Sequence, residues 1–134
     1  MNLTPDAALQ YSQHLGTLTL IDGTETLPVG TGWAGNHEGK NNPAFQDVPC
    51  VGPLPQGNYT LQPWEAYHGH LGPLVSFLKP DPANEMFGRG DFFIHGPAMS
   101  PPSYGQESKG CIVMAHDVRQ KLSDLGVTSL EVVP

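Results

Sequence analysis

The sequence is poor in charge. Only 14% of its 134 residues are Asp, Glu, Lys or Arg, with 6 basic against 13 acidic side chains. A net charge of −7 leaves little cationic surface for phosphate backbones or anionic lipid, so neither nucleic acid nor an anionic membrane is expected as main partner. No apolar run approaches the roughly 20 residues needed to cross a bilayer, so membrane insertion is not expected either. The start, "MNLTPDAALQYSQHLG", has no basic segment and no continuous apolar stretch, unlike a secretory signal. The expectation is synthesis in the cytoplasm and, if exported, a route needing no cleaved signal. With 2 cysteines there is no disulfide framework; Cys50 and Cys111 could form one bridge, but a core of this size does not require it.

Gly (16) and Pro (14) are plentiful instead, which points to many short elements joined by turns. "LQYSQ" and "GTLTLID" read as strands around a turn at His14–Gly16, although Thr4-Pro5-Asp6 could also start a helix over Pro5 to Ser12. "DGTE" is a hairpin turn into "TLPVGTGWAG". Residues 36–55 lack periodicity and form a long loop, a candidate cleft wall. "GNYTLQPW", "GPLVSFLKP", "DFFIHG", "CIVM" and "TSLEVV" read as strands. One helix is expected over about Ala115–Leu125, with Val118, Leu122 and Leu125 on one face and Gly126 past its end. The expectation is one domain over 1–134, mainly β, sandwich- or barrel-like, with one helix in the C-terminal half.

Chemistry concentrates in "DFFIHGPAMSPPSYGQESKGCIVMAH". His95 ends an apolar strand and Cys111 starts the next. If those strands are neighbours, the imidazole could take the thiol proton and later deliver one to a leaving amine. The N–H groups of Gly110 and Cys111 are candidates for an oxyanion hole. Ser108 could fix the turn, and Lys109 could favour thiolate or hold a substrate carboxylate. Equally, cysteine is among the most buried and inert residue types, and a histidine at a strand end is commonly bonded to backbone. Papain-like and NlpC-type enzymes place Cys before His, and caspases separate the pair by about 50 residues. Asp91 is too far to orient His95, because four residues of strand span roughly 13 Å. A backbone carbonyl is the expected partner.

"IHG" followed by "SKGC" resembles the signature of L,D-transpeptidases, with Lys109 where a second histidine usually stands. That departure is similar to a branch of antibacterial type VI secretion effectors. "GKNNP" (Gly39–Pro43), "GPLPQGNY" (Gly52–Tyr59) and "GRGDFFIHG" (Gly88–Gly96) resemble further motifs of the branch, in the same order. The similarity runs from about Tyr11 to the end. The resemblance implies a YkuD-like β domain acting on peptidoglycan stem peptides, with Cys111 as nucleophile and His95 as base, then acid. Gly110 and Ser108 would complete the catalytic turn, and Lys109, Arg89, Gly96 and Tyr104 would contact substrate. It implies no metal, no organic cofactor, a cognate immunity protein, delivery by a secretion apparatus, and action in the periplasm of a target bacterium. The contrasting reading is a non-catalytic wall-binding or adaptor module on the same fold.

Other features have plainer readings. Arg89 could clamp a carboxylate or pair with Asp91 or Glu85. "RGD" at 89–91 leads into an apolar strand and reads as coincidence. His68 and His70 are spaced like metal ligands but lack a cluster around them, so a solvated loop is expected. Trp33, Trp64 and Tyr67 suit core or cleft wall, and Asn41 and Asn42 could line the cleft.

Overall fold

The structure, a computed structural model, describes residues 3–98 and 107–134. It is mainly β with one helix. Strand β1 (Ala8–Ser12) buries Leu9 and Tyr11, and β2 (Thr17–Asp22) buries Leu18 and Leu20, so each presents alternate residues to the core. Pro5 to Ser12 is therefore not helical, because strand alternation lets Leu9 and Tyr11 share the buried face. β3 (Glu25–Thr31) pairs with β2 and lies at the sheet edge, where Pro28 and its missing N–H are tolerated beside a register shift at Leu18/Thr19.

The expected continuous "TLPVGTGWAG" run is broken at Gly32. A Cβ there would lie 1.8 Å from the Val113 carbonyl oxygen, so the chain leaves β3 and starts β4 (Trp33–Ala34) under that contact. The long loop contains two 3-10 turns, His37–Gly39 and Pro43–Phe45. β5 (Gly57–Leu61) buries Tyr59 and Leu61 and stops before Trp64. β6 (Glu65–His68) hairpins onto β7 (Gly72–Pro80), so His68 ends a strand where a loop was expected. β8 is Phe93–His95 and β9 is Ile112–Val113. Helix α1 (His116–Leu125) buries Leu122 fully and ends at Gly126, whose φ of 69° is left-handed. β10 (Ser129–Val133) enters between β1, parallel, and β5, antiparallel.

The strand order is β3-β2-β1-β10-β5-β7-β8-β9-β4, with β6 branching off β7. The two end strands, β3 and β4, are consecutive in sequence and separated only by Gly32. The sheet must therefore curl until its ends approach, giving an open barrel that no β3–β4 ladder closes. Inside lie Leu9, Leu18, Leu54, Leu78, Ile94, Ile112, Met114 and Leu130. Because Ile94 and Ile112 are paired and both point into this core, their neighbours on β8 and β9 point to the other face. That outer face carries the candidate site.

Candidate active site

β8 and β9 are parallel, with Ile94 opposite Ile112 and His95 opposite Val113. Extending the register by one residue sets Cys111 beside Phe93. The Phe93 N–H donates to the Cys111 sulfur at 3.3 Å, which agrees. Cys111 and His95 thus share the outer face, on adjacent strands and one pleat repeat apart. Their Cα atoms are then about 8 Å apart on the diagonal, within reach of a thiol and an imidazole.

The imidazole is buried, 4% exposed, and its Nδ1 lies 2.8 Å from the Gly96 carbonyl oxygen. A carbonyl only accepts, so Nδ1 carries the hydrogen and Nε2 holds the lone pair. The expected backbone orienter is therefore present. Burial lowers the His95 pKa; the Gly96 carbonyl and Glu107 oppose it, while Arg119 and His68 add to it. The ring is a neutral base at pH 7.

Burial pushes the Cys111 thiol up to about 11, against the Phe93 N–H, its own N–H and the charge of Arg89. The resting pair is a thiol beside a neutral imidazole. Such a thiol becomes a nucleophile only as a base removes its proton. Asp91 sits on this side: its φ of 62° turns the chain before β8, its carbonyl faces the sulfur at 3.9 Å, and its charge disfavours thiolate.

Ser108 is fully buried and closes the turn before the thiol. Its Oγ donates to the Cys111 carbonyl at 2.6 Å and accepts from the N–H groups of Gly35 at 2.9 Å and Gly110 at 3.1 Å. The Gly110 N–H is thus turned inward and is not the oxyanion donor expected for it. Gly110 has a φ of +131°, and a Cβ there would meet the Phe92 ring at 2.5 Å. Asn36 Nδ2 donates to both the Cys50 and Ser108 carbonyls at 2.7 Å, stitching the long loop to this turn.

Arg89, expected as a substrate clamp, spends four bonds on backbone. Nη1 donates to the Gln46 and Pro53 carbonyls at 2.6 and 2.7 Å, and Nη2 to those of Gly52 and Lys109 at 3.0 and 3.1 Å. The guanidinium also sits over the Phe92 ring at 5.1 Å. Lys109 is exposed and lines the thiol cavity, but the cation acting on the sulfur is Arg89. Gly96 lies against Arg119, leaving no room for a Cβ. Tyr104 lies outside the described residues.

Thiol and imidazole open onto different spaces. Cys111 lines a cavity of about 300 Å³ with Cys50, Arg89, Asp91 and Lys109. His95 lines a groove of about 680 Å³ between the β6–β7 hairpin and the start of α1, with Tyr67, His70, Glu107, His116 and Arg119. Phe93 lies between them along β8, its ring edge-on to His68 and Phe77 at 5.2 Å each. No group of three or more His, Cys, Asp or Glu suited to a metal occurs among the described residues.

Sequence reasoning missed Arg119, Glu107 and Asn36. Arg119 donates to the Met114, Pro73 and Leu74 carbonyls, and those partners lie up to 46 residues away. Only an arginine next to the buried stripe of α1 hinted at it. Glu107 had no signal beyond its place before Ser108.

The open curled sheet is similar to the fold of L,D-transpeptidases. The enzyme from Mycobacterium smegmatis matches with a TM-score of 0.53 at 17% identity, over 96% of this chain and 59% of that one. An L,D-transpeptidase from Mycobacterium tuberculosis H37Rv gives 0.58 at 16% identity, over 96% of this chain and 57% of that one. The one from Stackebrandtia nassauensis gives 0.58 at 13%, over 99% and 58%. The chain thus spans under two thirds of the length of these relatives. No curated protein sequence matches it. The Tlde1 domain model matches residues 29–134, well over half of the chain, so the protein belongs to the Tlde1 domain family.

Proposed function

We propose that the protein is a cysteine-dependent peptidoglycan enzyme that removes or exchanges the terminal D-alanine of stem tetrapeptides. The observation that carries this reading is the shared outer face of His95 and Cys111, with the imidazole lone pair confined to Nε2. As the thiol proton moves to Nε2, the sulfur attacks the carbonyl joining the L-centre of diaminopimelate to D-alanine. The tetrahedral intermediate collapses when His95 returns that proton to the departing amine. A thioester to Cys111 and free D-alanine result. Water then gives a tripeptide, a D-amino acid gives exchange, and a stem amine gives a cross-link; in each case His95 takes the proton of the incoming nucleophile. Loss of tetrapeptide donors would starve a growing wall, which fits an antibacterial toxin delivered by a secretion apparatus and countered by an immunity protein.

The test is digestion of purified sacculi followed by product masses. Wild-type protein is expected to release D-alanine. Cys111→Ala should lose at least about 1,000-fold in rate while unfolding at a similar temperature. A second reading, a non-catalytic wall-binding module, draws on the separate openings of the thiol and the imidazole. It requires that wild-type protein binds sacculi without releasing product and that Cys111→Ala binds equally well.

A further inference from the structure

Among the described residues lining the His95 groove, Glu107 is the only carboxylate. Its two oxygens have separate tasks. Oε1 accepts from Trp33 Nε1 at 2.9 Å, on the strand beside β9. Oε2 accepts from the Ala98 N–H at 2.8 Å, three residues after the imidazole. Glu107 itself immediately precedes Ser108, whose hydroxyl holds the Cys111 carbonyl. One side chain therefore links the segment leaving the imidazole to the segment entering the thiol turn.

We propose that Glu107 is a positioning residue for His95: its carboxylate sets the spacing between imidazole and thiol and stabilises the imidazolium formed during proton transfer. The inference rests on the reading of His95 as the base. The chemistry asks for such a group. Proton transfer creates a cation in a buried ring, and the nearby charges otherwise oppose it. Arg119, from α1, faces the ring with its guanidinium, and His68 faces it from the end of β6. His70 and His116 line the same groove. Cys111, on the neighbouring strand, donates the proton. The Gly96 carbonyl holds the ring in place but carries no net charge. Among the described residues, Glu107 is the carboxylate that supplies negative charge on that side, as one does in a catalytic triad, although here it acts through space and through the Ala98 segment.

The experiment follows the His95 ring by nitrogen NMR titration without substrate, alongside D-alanine release from sacculi against pH. In Glu107→Gln the His95 midpoint should move down by roughly half a pH unit, and release should fall roughly tenfold. The acid limb of the rate profile should move with the midpoint, which loss of packing alone would not produce. Trp33→Phe, which removes one hydrogen bond and keeps the charge, should leave the midpoint in place. An unchanged midpoint in Glu107→Gln overturns the proposal. Should that variant fail to fold, Glu107→Asp carries the test. The shorter carboxylate keeps the charge and stretches the Ala98 link, so release should fall severalfold with the midpoint held; unaltered release overturns the proposal. A wild-type protein that releases no D-alanine overturns the reaction and leaves the midpoint shift to be read by itself.

Discussion

Arg89 and Arg119 perform one physical task on opposite flanks of the site. Each places a guanidinium against backbone carbonyls mostly distant in sequence, and each packs on a glycine. Arg89 ties the long loop to the thiol turn through the carbonyls of Gln46, Gly52, Pro53 and Lys109, with Gly110 against it. Arg119 ties α1 to the β6–β7 hairpin through Pro73 and Leu74, with Gly96 against it. The surroundings differ. Arg119 borders the His95 groove yet is only 4% exposed, whereas Arg89, beside the thiol cavity, is half-buried. Their charges act in the same sense, each favouring loss of a proton from a different group. Arg119 disfavours a proton on His95, and Arg89 favours loss of one from Cys111. Together they bias the pair toward an unprotonated base beside an acidified thiol. Burial outweighs the second influence, because the thiol still stands at about 11. The lesson is that one clamp, used twice, serves architecture first and tunes the chemistry as a by-product of where its charge falls.

That comparison breaks most visibly when the forks are removed. Arg119→Met should cost about 4 kcal/mol in urea unfolding, because three carbonyls lose a charged donor where water has little access. Arg89→Met should cost about 3 kcal/mol, since water from the open cavity can hydrate part of what is exposed. Lysine at either position should recover less than half, because an ammonium cannot reproduce the planar fork. Equal losses at the two sites would mean that exposure does not separate the clamps.

The two glycines sharpen it at smaller amplitude. Gly110→Ala combines a φ of +131° with a Cβ 2.5 Å from the Phe92 ring and 2.8 Å from Arg89 Nη2. Both the backbone and a packed ring would have to move, for about 3 kcal/mol. At Gly96 the Cβ meets only the Arg119 guanidinium, at 2.5 Å from Nη2, and the backbone is not left-handed. The cost there should be about 2 kcal/mol, and it should shrink in an Arg119→Met background while the Gly110 cost persists. Thermal unfolding of the two single variants and the double variant measures this coupling.

What the sequence made legible follows the same division. The regular half could be read because its signals are local. Leu9 and Tyr11, Leu18 and Leu20, Tyr59 and Leu61 alternate as a half-buried strand requires, and Gly126 marks the end of α1. In the site half, the places of the motif residues were legible, His95 ending β8 and Cys111 just before β9, but not what holds them. β4 and β9 span two residues each, too short for periodicity, and their limits follow from contacts such as Gly32 against the Val113 carbonyl. The carbonyls gripped by Arg89 and Arg119 lie 20 to 46 residues from them, apart from Met114. The inward turn of the Gly110 N–H depends on the Ser108 hydroxyl, which also reaches Gly35 and so needs the folded loop. His68 was read as a loop residue because its strand pairs with a later one through Gly72.

The smallest expected effect is also the one that separates the flanks by sign. Folding lowers the His95 pKa from an ordinary 6.5, so below that pH the unfolded chain binds the extra proton. The stabilising contribution of the imidazole flank is present above pH 6.5 and fades as the solution is acidified. Folding raises the Cys111 pKa from 9.0 to about 11, so the folded chain keeps a proton that the unfolded chain releases. The contribution of the sulfur flank is complete below pH 9 and is lost as pH rises toward 11. Urea midpoints against pH should therefore fall on both sides of a plateau. Cys111→Ala should flatten the alkaline side and leave the acid side in place. Alkylation gives an independent reading of the same proton. At pH 7 only about one thiol in ten thousand is ionised at such a pKa, so iodoacetamide should modify exposed Cys50 well before Cys111. The Cys111 rate should climb roughly tenfold per pH unit up to about pH 10. Fast, pH-independent alkylation of Cys111 near neutrality would mean a standing thiolate–imidazolium pair, and the base-first order of proton transfer would be wrong.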